Sequence, residues 1–255
     1  MPWNPAVYNK FKQVRFLPFF DLSEMIQETQ RMKSVDLGCG TGEQTALLVE
    51  KFKQATFVGI DSSEEMLEQA ELLKSDRLEF KCQTIEKFVE TNESWDVIFS
   101  NAALQWSDNH QELFPKLIAK LNPGGQFVVQ MPYQPENILN KLLYTLAESE
   151  PYRTQLKGWN RPSSVLSLDD YAQMMFDGGL SQLSISQRIY PIIAQDHHAL
   201  YEFISGSALI PYIERLKEEE KASFIEAFKA EIANSFKKLP ALYAFKRILL
   251  YGKKE

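Results

Sequence analysis

Apolar runs in this sequence are short, and none approaches the ~20 residues that a membrane-spanning helix needs. The start, Met1-Pro2-Trp3-Asn4-Pro5, lacks a charged segment followed by an apolar one, so no secretory signal is expected. Cysteine is scarce. Cys39 and Cys82 are the two present, they form no CxxC pair, and they read as reduced thiols of a cytoplasmic protein. Three histidines, His110, His197 and His198, offer no zinc-ligand spacing, and the adjacent pair would diverge on a helix, so no metal is expected. A basic surplus is also missing. Lys and Arg total 28 against 34 Asp and Glu, for a formal charge of −6, which argues against nucleic acid as a partner.

What remains is an ordinary globular composition, 44% hydrophobic and 24% charged. Its patterning alternates. Ser34–Leu37 reads as a short buried strand that runs into glycines, and Gln44–Phe52 as a helix. Thr56–Ile60 is β-branched and apolar, a second strand, after which Ser62 or Ser63 caps a helix carrying Met66, Leu67, Ala70 and Leu73. Strands are expected again at Leu78–Cys82, Trp95–Ser100 and Gln126–Met131. The helix bearing Leu113, Leu117, Ile118 and Leu121 stops at Asn122-Pro123-Gly124-Gly125. Short strands separated by helices pair through right-handed crossovers, so the fold class is α/β, a doubly wound and mostly parallel sheet.

Beyond Gln134 the alternation lapses. Residues 134–166 read as an irregular or helical cover and 196–238 as helical, with Phe224, Ala227, Phe228 and Ile232 on one stripe. Between and after them come a helix over Asp169–Gly178, a long strand over Leu180–Ile193 and a last strand over Phe245–Tyr251. The organisation expected is one domain, 1–255, with cap insertions at about 134–166 and 196–238.

Chemistry is concentrated in Asp36-Leu37-Gly38-Cys39-Gly40-Thr41-Gly42, which follows a strand and precedes a helix. Glycines there let backbone approach a ligand closely. A dinucleotide fingerprint needs its third glycine three places after the second, where this chain has Glu43, a charge that would repel a pyrophosphate at the helix mouth. Asp61, at the end of the second strand and about twenty residues on, sits where a carboxylate grips a ribose diol. Loop and acid together imply adenosine without a diphosphate, which S-adenosyl-L-methionine satisfies.

Asp36–Gly42 resembles the first motif of the class I S-adenosylmethionine methyltransferases, and Val58-Gly59-Ile60-Asp61-Ser62 their next one. Trp3-Asn4-Pro5 with Tyr8, Asn101-Ala102 with Gln105-Trp106, Glu112-Leu113-Phe114-Pro115 and Val129-Gln130-Met131-Pro132 resemble the trans-aconitate methyltransferases in particular. The resemblance implies a Rossmann-like domain in which Gly38, Gly40 and Gly42 shape the loop and Asp36 anchors the cofactor's ammonium. It also gives Asp61 the ribose, sets Ser62 and Met66 beside the adenine, and has Ile85 offer its backbone amide to the ring. Asn101 would offer a carbonyl to the ammonium. Thr84 stands where relatives often carry Asp, and its hydroxyl is a weaker acceptor for the exocyclic amine.

A carboxylate acceptor is ionised at neutral pH and needs no general base, so cationic or hydrogen-bonding groups matter more. Arg15, Trp106 and Tyr133 are positioning candidates, although a surface role for Arg15 and core packing for Trp106 are equally open. Arg153, Lys157 and Arg161 around Trp159 form either an anion-binding lid or a solvated loop, and His110 reads as a helix-start residue rather than a base. The leading expectation is O-methylation of a small carboxylic acid. Alternatives are methylation of a malonyl thioester on an acyl carrier protein, as in biotin synthesis, and cofactor binding without catalysis. The acyl carrier protein reading requires a basic entrance, for which Lys116, Lys120, Lys229, Lys237 and Lys238 are the available residues.

Overall fold

A computed structural model describes residues 12–255, with side chains from Phe16 onward. Trp3, Asn4, Pro5 and Tyr8, and the side chain of Arg15, lie outside the described residues. Two compact units are delimited. The larger contains Pro18–Pro132, Ser164–Arg188 and Arg247–Glu255; the other contains Tyr133–Ser163 and Ile189–Lys246.

The strands are β1 (Lys33–Leu37), β2 (Thr56–Asp61), β3 (Leu78–Cys82), β4 (Trp95–Asn101), β5 (Leu121–Pro132), β6 (Leu180–Ala194) and β7 (Ala241–Lys254). They form one sheet in the order β3-β2-β1-β4-β5-β7-β6. From β3 to β5 every pairing is parallel, while β7 runs antiparallel to β5. Strands enclosed on both faces need apolar side chains on both, and Val35, Leu37, Val97, Ile98, Phe99, Phe127, Val128 and Val129 are all fully buried. Strand order reverses between β1 and β4, which puts a ligand crevice at the carboxyl ends of these two strands.

Local sequence explains the element ends. The Ser63 side chain, not that of Ser62, accepts from the Met66 N–H at 3.2 Å and caps the helix Glu64–Ala70. The helix Leu168–Asp177 opens on a capping box formed by Ser167 and Asp170.

Asn122-Pro123-Gly124-Gly125 does not separate helix from strand as expected. The helix His110–Ala119 ends earlier, β5 already starts at Leu121, and these four residues form an irregularity within it. Register passes from Trp95↔Leu121 straight to Val97↔Gln126, and Gly124 takes a positive φ of 77° in the excursion. The pairing of Trp95 with Leu121, reinforced by the Trp95 N–H donating to the Lys120 carbonyl, overrides the local turn signal.

In the other unit, the stretch expected to be helical over 197–238 is three helices, His197–Ser205, Ile210–Ile213 and Glu218–Ser235. Gly206 and Pro211 break the periodicity. Residues 134–166 hold the helices Ile138–Glu148 and Tyr152–Gln155. Phe224, Phe228 and Ile232 share a buried cluster with Leu139, Leu143, Leu200 and Tyr243. Trp159 packs edge-on against Tyr212 with centroids 5.0 Å apart, and the cation over its ring is Arg215 at 3.7 Å. Arg153 is turned to Glu148 at 4.0 Å. The aromatic thus belongs to packing in this unit, and the guanidinium on it comes from the turn after the helix Ile210–Ile213, which sequence spacing did not connect with it.

Candidate active site

The glycine loop is fastened to the end of β2. Gly38 and Cys39 donate backbone N–H groups to the Ile60 carbonyl at 2.8 and 2.9 Å, and Gly40 N–H donates to Asp61 Oδ2 at 2.9 Å. The other carboxylate oxygen of Asp61 accepts from Ser63 N–H at 2.9 Å. Two backbone donors therefore orient this carboxylate while leaving it further acceptor positions, since an ionised carboxylate has about four.

Gly38 has φ +74°, and a Cβ there would lie 2.2 Å from that of Ala103, so only glycine lets the turn after β1 meet the turn after β4. Gly40 also has positive φ, +57°, but a Cβ there would meet nothing within 4 Å. One glycine is required by a neighbour, the other stands beside open space.

A cleft of about 340 Å³ is lined by Gly38, Ile60, Asp61 and Ser62, by Gln83–Glu86, and by Ala103, Trp106 and Ser107. Of the residues expected from sequence, it brings together Gly38, Asp61, Ser62, Thr84, Ile85 and Trp106. Trp106 is 39% exposed, which decides against simple core packing. Ile85 opens the helix Ile85–Val89, so its N–H has no acceptor within that helix. Thr84 Oγ1 accepts from the Lys87 N–H at 3.2 Å and is thus partly engaged as a cap. Asp36, Gly40, Gly42, Met66 and Asn101 lie outside the lining. Met66 serves the Ser63 cap through its backbone, and Tyr133 belongs to the other unit, where its N–H donates to the Lys246 carbonyl at 2.9 Å.

Asp36 is buried at 3% exposure, and Thr45 Oγ1 donates to it at 2.6 Å. Burial raises its pKa to about 7, the Thr45 hydrogen bond opposes that, and Asp61 adds to it. Burial, then the Asp36 and Asp61 carboxylates, pushes the Cys39 thiol well up, so it is no nucleophile. Asn101 Nδ2 donates to Gln44 Oε1 at 2.8 Å, which fixes its amide and leaves Oδ1 buried with no partner. Gln105 repeats the pattern: Nε2 donates to the Ala102 carbonyl at 2.7 Å, and Oε1 is buried without a donor. A buried carboxyl and two unmet acceptors beside β1 and β4 suit a cationic ligand group such as an ammonium.

His110 is not placed for base chemistry. Nε2 lies 2.9 Å from the Leu104 carbonyl and must donate to it, so Nδ1 accepts from the Tyr171 hydroxyl at 2.6 Å. Both nitrogens are spent holding the turn that carries Trp106, and burial lowers the pKa. His197 Nε2 donates to the Phe236 carbonyl and His198 lies 3.5 Å from Glu202; among the described residues, no group of three or more His, Cys, Asp or Glu is placed to hold a metal ion. Lys120 and Lys229, two of the lysines considered for a basic entrance, are engaged by Thr91 and Glu226.

Sequence reading overlooked Thr45, Gln44, Ala103 and Gln105. The first two lie on the helix after the glycine loop, whose register against β1 and β4 no linear spacing reveals. Gln105 was visible as a polar residue beside Trp106 without an assigned role.

Comparison with known proteins accounts for this arrangement. Residues 28–195 match the family described as a methyltransferase domain. The chain belongs to this family, as an S-adenosylmethionine-dependent methyltransferase of class I. Nearly its whole length is similar to proteins named trans-aconitate 2-methyltransferase. That of Deinococcus radiodurans is 36% identical, over 98% of this chain and 97% of its own. The Variovorax paradoxus protein is 30% identical over 98% and 95%. YcgJ from Bacillus subtilis, a solved structure, shares the fold with a TM-score of 0.61 at 18% identity, over 94% of this chain and 98% of its own. Among the described residues, no helix is long and apolar enough to cross a membrane.

Proposed function

We propose that this methyltransferase O-methylates a carboxylate of a small organic acid of the trans-aconitate type. End-to-end similarity to proteins of that name, at 36% identity across 98% of the chain, is the observation that carries the substrate class. In this reading Asp61 takes the ribose hydroxyls. Gly38 and Gly40 lie against the methionine portion, and Asp36 and Asn101 face its ammonium. Ser62, Thr84 and the Ile85 N–H border the adenine.

When bound, S-adenosylmethionine supplies a methyl group already activated on a sulfonium. The chain's task is then to align the acceptor oxygen, keep water out and hold the acid's charge, not to remove a proton. The engagement of both His110 nitrogens is consistent with this, because a carboxylate acceptor is ionised at neutral pH. Trp106, partly exposed on the cleft, supplies an apolar wall that limits water.

Incubation with methyl-labelled cofactor and a set of mono-, di- and tricarboxylates tests the reading. Label is expected in a base-labile methyl ester of an aconitate-like acid. Transfer only to amines, thioesters or macromolecules would overturn it.

A further inference from the structure

The carboxyl ends of β1, β4 and β5, together with the middle of antiparallel β7, carry a polar row on one face of the sheet. Asp36 pairs with Phe99, two residues before Asn101, Asn101 pairs with Gln130, and Gln130 pairs with Leu249, two residues after Arg247. Alternation of side chains along strands puts Asp36, Asn101, Gln130 and Arg247 on the same face, with adjacent strands about 4.8 Å apart. Polarity changes sign along the row. Asp36 is a carboxyl and Asn101 Oδ1 an unmet acceptor, whereas Gln130 on β5 holds an unmet donor, Nε2, beside the guanidinium of Arg247 on β7.

Gln130 is fully buried and Arg247 is 5% exposed. Arg247 Nη1 donates to Gln130 Oε1 at 2.7 Å. A guanidinium has only donors, so this contact settles the amide's orientation and turns Nε2 away. Nε2 is buried with no hydrogen-bond partner. Leaving such a donor unmet is costly, and the groups that satisfy it best are anionic acceptors.

We propose that Gln130 and Arg247 form an anchoring site for a carboxylate, and that this carboxylate belongs to the acceptor acid. The assignment to an acid acceptor rests on the function proposed above. It adds which residues hold the substrate: Gln130 Nε2 as hydrogen-bond donor and Arg247 as the neighbouring cation, one strand from Asn101. The cofactor's methionine moiety also carries a carboxylate, so the test separates the two sources.

Gln130→Glu is the discriminating substitution. The new carboxylate still accepts from Arg247 but replaces an N–H donor with a negative charge, so the fold is kept while an incoming anion is repelled. Arg247→Lys, which retains charge without the planar fork, is the second variant. Calorimetry would measure trans-aconitate binding in the presence of S-adenosylhomocysteine, and S-adenosylhomocysteine binding alone, with turnover recorded in parallel.

Gln130→Glu is expected to weaken trans-aconitate binding at least about tenfold and raise KM similarly, with cofactor affinity within about twofold of wild type. Arg247→Lys should fall between. Unchanged trans-aconitate binding in Gln130→Glu would overturn the proposal, as a purely structural pair tolerates that change. Weakened cofactor binding with unchanged acid binding would also overturn it, assigning the site to the methionine carboxylate. If wild type binds the acid at this pair but transfers no methyl to it, the proposed function fails and the anchoring site stands. If wild type neither binds nor methylates any acid, both fail.

Discussion

The Gly40 N–H donates to Asp61 Oδ2 at 2.9 Å, joining the turn after β1 to the carboxyl end of β2. Two features that sequence presents as separate, a glycine loop and a strand-end acid, are one hydrogen-bonded unit. The carboxylate is held by Gly40 and Ser63 before any ligand arrives, so its orientation is set in advance.

Removing that carboxylate should therefore act twice. Asp61→Ala is expected to weaken S-adenosylhomocysteine binding by ~1–3 kcal/mol through lost hydrogen bonds to a charged group, and to loosen the loop. Asp61→Asn, which keeps one acceptor oxygen, should lose less. Calorimetric affinities for both variants check this; an unchanged value for Asp61→Ala would remove the residue from the site.

Gly38→Ala tests the loop from its other side. The added methyl would meet Ala103 Cβ at 2.2 Å on a backbone of φ +74°, so cofactor affinity should drop about tenfold or more. Ala103→Gly in the same chain relieves the contact but not the backbone strain. Partial recovery is expected, and full recovery would show that contact alone mattered.

Asp36 predicts a pH effect on stability. With a folded-state pKa near 7 against an ordinary 3.8, its favourable contribution is full below about 3.8 and is lost as pH rises to about 7. The rise corresponds to about 4 kcal/mol as an upper bound. Asp36→Asn, whose amide oxygen can still accept from Thr45, should therefore gain stability relative to wild type progressively between those values. Thermal unfolding of the cofactor-free proteins at pH 4 and pH 8 measures it. A difference independent of pH would contradict the buried, protonated carboxyl.

His110 and Tyr171 make the opposite kind of prediction. Burial lowers the His110 pKa, so its contribution is present above the ordinary value of 6.5 and is lost as pH falls through the lowered one. His110→Phe should cost about 1–3 kcal/mol by removing two buried hydrogen bonds, leaving the Leu104 carbonyl with the Ser107 N–H alone and the Tyr171 hydroxyl without the imidazole that accepts its proton. It should also flatten the acid side of the stability profile. Tyr171→Phe in that background should cost less than alone, since the pair shares one hydrogen bond. Additive losses would mean the two act separately.

Much of the nucleotide half of the fold was legible. Periodicity located β1 to β4 within a residue or so, because parallel strands are apolar throughout and bounded by glycine or caps. Gly38 and Asp61 could be found because their job, close backbone approach and a fixed carboxylate, restricts residue type. The turn at Asn122–Gly125 misled, since tertiary pairing of Trp95 with Leu121 outweighed local turn chemistry. Gln130 and Arg247 were hidden for a related reason. They are 117 residues apart, and only the antiparallel return of β7 brings them together.

A crystal structure with S-adenosylhomocysteine tests the central claim most directly. The account predicts ribose hydroxyls on Asp61, adenine beside Ser62, Thr84 and Ile85, and the amino group toward Asn101. A ligand bound away from the Gly38–Gly42 turn, or one whose ribose makes no contact with Asp61, would contradict it.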